Sequence, residues 1–228
     1  QILPSFALLV VRVHNCCLPL YMFDLLTPMV PLPVTLCNEV VTLEPIEPRH
    51  ATDLQAALDD RVFEYMPMRS SVKTPSEVRR YVDFQQRRTE TIAFAVIDNS
   101  SGAAIGSTRF MNIRADHFLS ALEAREGLEI GSTWITKSAR GTRVNPAMKH
   151  LMLSHAFDGL GAVRVELKTD ARNLRSRSAI LKLGAQFEGI LRHHLIMPDG
   201  HLRDTAMYSI TRDDWVGVER GLLARLGA

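Results

Sequence analysis

"WITKSARGTRVNPAMKHLMLSHAF", residues 134–157, joins a short apolar strand-like start, a basic turn with one glycine, and a long helix-like run. The order matters because a turn entering a helix aims several backbone N–H groups, and the positive end of the helix dipole, at one point. Proteins hold phosphate this way without a dedicated binding domain. Within it Asn145 is the expected N-cap and Pro146 the first helical residue, and Gly161, just beyond it, is the stop. No GxxxxGK[ST] exists in the chain, so a P-loop is excluded.

The flanking segments alternate between the two periodicities. On the N-terminal side, "LEIGSTWIT" (128–136) is a strand with Ile130 and Trp134 apolar, preceded by a polar stretch, 114–127, expected as loop or frayed helix. "TIAFAVID" (91–98) and "AIGSTRFMNI" (104–113) are two strands around the turn "NSSG". "TPSEVRRYVDFQQRRTE" carries a helix signature: Thr74 as N-cap, Pro75 at the first position, Glu77 three after the cap, and Val78, Tyr81, Val82 and Gln85 on one face. Ahead of it, "EVVTLEPI" (39–46) is a strand, "RHATDLQAAL" a helix and "RVFEYM" a second short helix.

On the C-terminal side "VRVELKTD" (163–170) alternates, Val163, Val165 and Leu167 inward and Arg164, Glu166 and Lys168 outward. "NLRSRSAILKLG" is a helix with Asn173 as cap and Gly184 as terminator. "AQFEGILRHHLI" and "LRDTAMYSI" form a hairpin around "MPDGH", and a last helix is capped by Thr211 or Asp213. The predicted order, β-α-α-β-β-β-α-β-α-β-β, is one mixed α/β (α+β) domain over residues 39–228, with helices crossing a mostly antiparallel sheet. Residues 1–38 are expected as an arm, extended through the Pro-rich 28–33. Met22 is a candidate natural start; 1–21 are then a tag, scar or upstream read-through, the alternative being an arm that packs on the body or on a second subunit.

The totals exclude little but exclude it cleanly. The 228 residues are 46% hydrophobic and 23% charged, the balance of a globular protein. A net charge of +2 is too mild to indicate nucleic acid. The apolar start is broken by Arg12, His14 and Asn15 short of the roughly 20 residues a span needs, so no membrane segment is expected. Cys16, Cys17 and Cys37 make neither a disulfide framework nor a zinc spacing, which suits a reducing cytoplasm. His150 and His155 lie about 140° apart on their helix and form no metal pair. His193 and His194 point to opposite sheet faces, as sheet or surface residues, with one a candidate for an acceptor groove. The basic run Arg164, Lys168, Arg172, Arg175, Arg177 and Lys182 is expected as a solvated face, with Lys168, Arg175 or Arg177 in reach of a phosphate.

Taken in order, the E-I-G strand, the R-G-x-x-x-N turn into a helix, "LGAVRVELKTDARNLRSRSAILKLGAQFEG" and "RHHLIMPDGHLRDTAMYSI" resemble GNAT acetyltransferases, most closely the RimJ/RimL-like branch, over about residues 39–216. The resemblance implies an acyl-CoA fold in which two splayed strands, here 128–136 and 163–169, admit the cofactor. Its pyrophosphate would lie on Arg140, Gly141, Thr142, Arg143, Val144 and Asn145. The family's turn has Gly where Arg143 stands and Gly or Ala where Asn145 stands, two departures from its pattern. The resemblance further implies an oxyanion bonded by backbone near Trp134 and Ile135. Asn173 would bond the pantetheine arm or the substrate side, and Ser176 would face the sulfur; both are also ordinary residues for a helix start. Glu129 is the carboxylate expected as base, through water, the alternatives being an exposed strand glutamate or a structural ion pair. With no cysteine in the matched region, acetyl-CoA would acetylate an amine directly, without a metal. The acceptor implied is a protein N-terminal α-amine; a small amine or antibiotic, or a non-catalytic acyl-CoA-binding sensor, is the alternative. Many relatives form homodimers.

Overall fold

The computed structural model describes residues 33–67, 74–88, 91–114 and 126–227, together with the backbone of residues 10–12. Its centre is one sheet of nine described strands: β1 (Val10–Arg12), β2 (Thr35–Cys37), β3 (Val41–Pro45), β4 (Ile92–Asp98), β5 (Ala104–Arg114), β6 (Gly127–Ile135), β7 (Arg164–Asp170), β8 (Gln186–Ile196) and β9 (Leu202–Thr211). Their spatial order is β1-β2-β3-β4-β5-β6-β7-β9-β8. Pairing is antiparallel except at β1–β2 and β6–β7. Strands thus begin at 10–12 and 35–37, inside the stretch expected as an arm; most of 1–32, including Cys16, Cys17 and all of the Pro-rich 28–33 except Pro33, lies outside the described residues, as do 115–125 of the expected loop.

Helices cover both faces. On one, α1 (Ala51–Ala57) and α2 (Pro75–Gln86) bury Leu54, Val78, Tyr81 and Val82 against Ala93, Ala95 and Trp134. On the other, α3 (Val144–Ser154) and α5 (Arg212–Leu226) enclose the larger core of Phe94, Phe110, Met148, Met152, Phe157, Val165 and Trp215. β4 serves both, Phe94 and Val96 facing one core and Ala93 and Ala95 the other, which is why its sequence is apolar throughout rather than alternating. α4 (Leu174–Leu181) follows β7.

The local signals that can be checked mostly hold. Thr74 and Glu77 form the reciprocal capping box of α2, with Pro75 at its first position, and the face Val78, Tyr81, Val82 and Gln85 is buried. Asn173 caps α4 and Thr211 caps α5. Three expectations fail for stated reasons. "RVFEYM" is a run of turns, its bonds Val62 N–H to Asp59, Glu64 to Arg61 and Met66 to Phe63 each spanning three residues without closing a helical ladder. Val163, expected inward, precedes β7 and is 44% exposed. α3 starts two residues early, with Arg143 at the cap position, Asn145 second and Pro146 third. Proline is tolerated there because the first helical N–H groups have no intrahelical acceptor. Thr142 Oγ1 accepts from Val144 N–H at 3.3 Å, supplying the bond expected of Asn145. After Ser154 the helix widens into a π turn, His155–Gly159.

Candidate active site

Parallel strands β6 and β7 are in register only at Leu128↔Val165 and Glu129↔Glu166. Beyond that the two strands part, leaving a wedge whose vertex is Glu129 and whose arms run to the 136–143 turn on one side and to Asn173 and Ser176 on the other. Two bulges shape the β6 arm. Between Ser107↔Trp134 and Arg109↔Gly131 strand β6 carries one extra residue, and Ser132 sits at φ 46°. Between Met111↔Glu129 and Arg114↔Gly127 the extra residue is on β5, with Asn112 at φ 49°. The first bulge turns the strand over: Ile130 belongs to the α3 core and Trp134 to the α1–α2 core.

That bulge is pinned from both sheet faces. Arg109, buried, donates to the Ser132 hydroxyl and, at 2.8 Å, to Gln85 of α2. Lys149 of α3, also buried, donates to Thr133 Oγ1 at 2.8 Å, which lies 2.7 Å from Thr108 Oγ1. Burial pushes the Lys149 ammonium down to about 7. Spacing singles out neither cation, since no motif surrounds either. Gly106 is required opposite: a Cβ there would overlap the Trp134 carbonyl.

At the vertex Glu129 is 2% exposed. Its Oε2 receives Lys168 Nζ at 2.8 Å and Asn112 Nδ2 at 2.7 Å. Of the readings open to it, the glutamate is thus buried and ion-paired, with Asn112 placed by its bulge. His194 lies close enough for its charge to be felt: burial, then Lys168 and Arg203, hold its imidazole below the ordinary value against the pull of Glu129. The ring is therefore neutral at pH 7. Lys168 counted as outward in the strand alternation, and it is, but into the wedge.

Part of the basic run is committed to partners within the protein, while Arg172, Arg175 and Lys182 are exposed. Arg164 binds Glu188 and Glu166, Arg172 binds Asp170, and Arg177 donates to Tyr208 Oη at 3.0 Å. The solvated face expected of the run thus holds for Arg172, Arg175 and Lys182, and not for Arg164, Lys168 and Arg177. Among the described residues no group of three His, Cys, Asp or Glu is placed to hold a metal.

In the turn, Arg140 is committed: it pairs with Asp59 and donates to the Ile135 carbonyl at 3.2 Å, tying the turn to the segment after α1. Against the cost of burial, the Arg61 N–H, Arg140 and Arg175 keep the Asp59 carboxyl below its ordinary value. Thr142 Oγ1 donates to the Ala139 carbonyl at 2.7 Å. Gly141, at φ 80°, is exposed, with no atom within 4 Å of where a Cβ would stand. Among the described residues no hydrogen bond engages the N–H groups of Gly141, Arg143 or Asn145. Arg143 is exposed, its guanidinium 3.4 Å from the Leu226 carbonyl. The turn therefore presents free donors, an open face and one long-armed cation, while its sequence anchor Arg140 is structural. Asn173 Oδ1 accepts from Ser176 N–H at 3.1 Å, so its carbonyl oxygen caps α4. Trp134 and Ile135 are buried, the indole edge-on to Phe63 with ring centroids 6.0 Å apart.

Residues 41–186 match the family model for the acetyltransferase (GNAT) domain. No curated protein matches the chain. Among solved structures, a GCN5-related N-acetyltransferase from Brucella melitensis is 26% identical over 86% of each chain, with a TM-score of 0.77. RimJ of Mycobacterium smegmatis, in complex with CoA-disulfide, is 21% identical, covering 81% of this chain and 88% of its own, with a TM-score of 0.65. The microcin C7 self-immunity acetyltransferase MccE, in complex with acetyl-CoA and AMP, is 18% identical, covering 76% and 93%, with a TM-score of 0.62. At these identities the last two are likenesses of fold.

Proposed function

The chain belongs to the GNAT acetyltransferases, and we propose that it is a cytoplasmic, RimJ/RimL-like N-acetyltransferase that moves an acetyl group from acetyl-CoA directly to a primary amine, a protein N-terminal α-amine being the first acceptor to test. The observation that carries this reading is the parting of β6 and β7 after Glu129↔Glu166, with Glu129 and Lys168 at the vertex and the free N–H groups of the 140–145 turn at the mouth.

Acetyl-CoA supplies the activated acyl group as its thioester. The Gly141, Arg143 and Asn145 N–H groups and the start of α3 bind its pyrophosphate, with Arg143 adding charge where relatives have glycine. Arg140, Thr142 and Val144 shape that turn. The backbone at Trp134 and Ile135, fixed by the adjacent bulge, is directed at the acyl oxygen. Asn173 uses its free amide nitrogen on the pantetheine side, and Ser176 faces the sulfur as a hydrogen-bond donor. Glu129 takes the amine's proton through water, with the neutral imidazole of His194, which feels the charge of Glu129, as a second acceptor. An α-amine, with a reference pKa near 8, needs only such weak help.

Calorimetric titration of acetyl-CoA into the wild type and Arg143→Glu tests the reading, followed by a panel of N-terminal peptides and small amines. Micromolar binding that the variant loses, with acetylation of a peptide amine, is expected. No binding by the wild type refutes it, and tight binding without turnover on any amine replaces it with an acyl-CoA sensor.

A further inference from the structure

The sheet face beyond Glu129 holds three cations and two carboxylates in close company. Lys168 is matched to Glu129 at 2.8 Å. Arg172 takes Asp170 completely, Nε at 3.0 Å to one carboxylate oxygen, NH2 at 2.8 Å to the other, and its own N–H at 2.9 Å. The third cation, Arg203 on β9, is left over. It is 4% exposed, and its single hydrogen bond among the described residues is a long one, from NH1 to the Tyr65 carbonyl at 3.3 Å. Its Nε is buried with no partner among the described residues, and so is the hydroxyl of Thr205, two residues on along the same face and level with Asp170.

Buried polar groups are almost always paired, and a buried charge without a hydrogen-bonded counter-charge is heavily penalised. Guanidinium offers five donors in a planar fork that matches a carboxylate or a phosphate. The charges acting on Arg203 are Asp170 and Glu129, both already engaged, and Arg172, which repels it; burial holds its pKa below the ordinary value. The cluster thus lacks one anion, beside the glutamate to which the acceptor amine is assigned.

We infer that Arg203, with the Thr205 hydroxyl beside it, receives an oxyanion carried by the acceptor, so that the substrate is an amine bearing a carboxylate or a phosphate. This deepens the acetyltransfer reading and rests on it for the identity of the acceptor, but the anion site can be read without turnover. A polycationic amine would meet the unmatched charge of Arg203 and is disfavoured as the acceptor.

The test has two parts. With CoA saturating, so that the 140–145 turn is filled, inorganic phosphate and glutarate are titrated into the wild type and Arg203→Met by calorimetry. Binding of one anion, weakened at least tenfold in Arg203→Met, is expected, and the arm that binds tells phosphate from carboxylate. Matched acceptors follow: a C-terminally amidated Ala-Glu against an amidated Ala-Gln peptide, and glucosamine 6-phosphate against glucosamine. The anionic member of one pair should show a KM at least tenfold lower at similar kcat, and Arg203→Met should bring its KM up to that of the neutral member. Because an unmatched charge is removed, the anion-free variant should melt no lower than the wild type. Neither anion binding nor an acceptor preference, or a variant that melts many degrees lower, would overturn the inference. Anion binding that depends on Arg203, with CoA bound and no amine acetylated, upholds the anion site and sinks the acetyltransfer reading instead.

Discussion

Lys149 carries a charge problem that pH can expose. Its ammonium is buried on α3 with Thr133 Oγ1 at 2.8 Å as its partner, and burial pulls its pKa from 10.5 to about 7. A pKa displaced by one pH unit corresponds to about 1.4 kcal/mol, so the fully protonated lysine costs the fold on the order of 5 kcal/mol relative to the neutral amine. Below pH 7 both folded and unfolded states are protonated and the whole penalty is present. Between pH 7 and 10.5 the unfolded chain keeps a proton that the folded chain has shed, so stability rises with pH by about 1.4 kcal/mol per unit. Lys149→Met keeps an unbranched side chain one atom shorter, removes the titration, and leaves Thr133 its partner Thr108. Urea unfolding of both proteins from pH 6.5 to 9 should therefore find the variant more stable by several kcal/mol at the acid end, the gap closing by roughly 2–3 kcal/mol at the alkaline end. A gap that does not move with pH, or a variant less stable than the wild type at pH 6.5, would refute the assignment of a desolvated lysine beneath the bulge.

Four further outcomes follow from single contacts. Glu129→Gln should lower kcat about a hundredfold in the acetylation assay, the range of a weak general base, with acetyl-CoA affinity unchanged by calorimetry. Gly131→Ala places a Cβ 2.9 Å from Glu129 Oε1 and from Met111 Sδ; both atoms end flexible side chains, so kcat should fall roughly tenfold or more as the carboxylate is displaced, while the melting temperature barely changes. Gly106→Ala meets backbone instead and should cost roughly 3 kcal/mol in urea unfolding. Thr74→Ala breaks the α2 capping box and should cost about 1 kcal/mol by the same measurement.

The elements were legible where their signals are local. The capping box at Thr74 and Glu77, the Asn173 cap and the hairpin around Gly200 each depend on a few adjacent residues, and all are present. The start of α3 was misplaced because two local rules competed. Asn145 is a good cap and Pro146 a good first residue, but the Thr142 hydroxyl and the N–H-free third position let the helix start two residues sooner. The "RVFEYM" segment failed differently: Val62 and Phe63 are buried as a turn, so their apolar spacing recorded packing and not helical period.

The site was legible as a place but not as chemistry, and the reason lies in what strand alternation encodes. Period two separates the core face from the other face, and it put Lys168 and Glu166 correctly away from Val165 and Leu167. It is silent on whether the other face meets solvent or a cleft, because that depends on where β7 stops pairing with β6, which is set by tertiary contacts far along the chain. Lys168 therefore looked solvated although it faces Glu129. A bulge adds a second blind spot, since one unpaired residue reverses every later side chain. Ile130 and Trp134, four apart, would share a face on a regular strand; the extra residue at Ser132 sends them to opposite cores. The cations that hold this bulge, Arg109 and Lys149, come from different elements and satisfy successive hydroxyls, Ser132 and Thr133. What the alternation cannot show is thus the same thing that makes the site: a strand pair that separates, with its irregular residues fixed by buried charge.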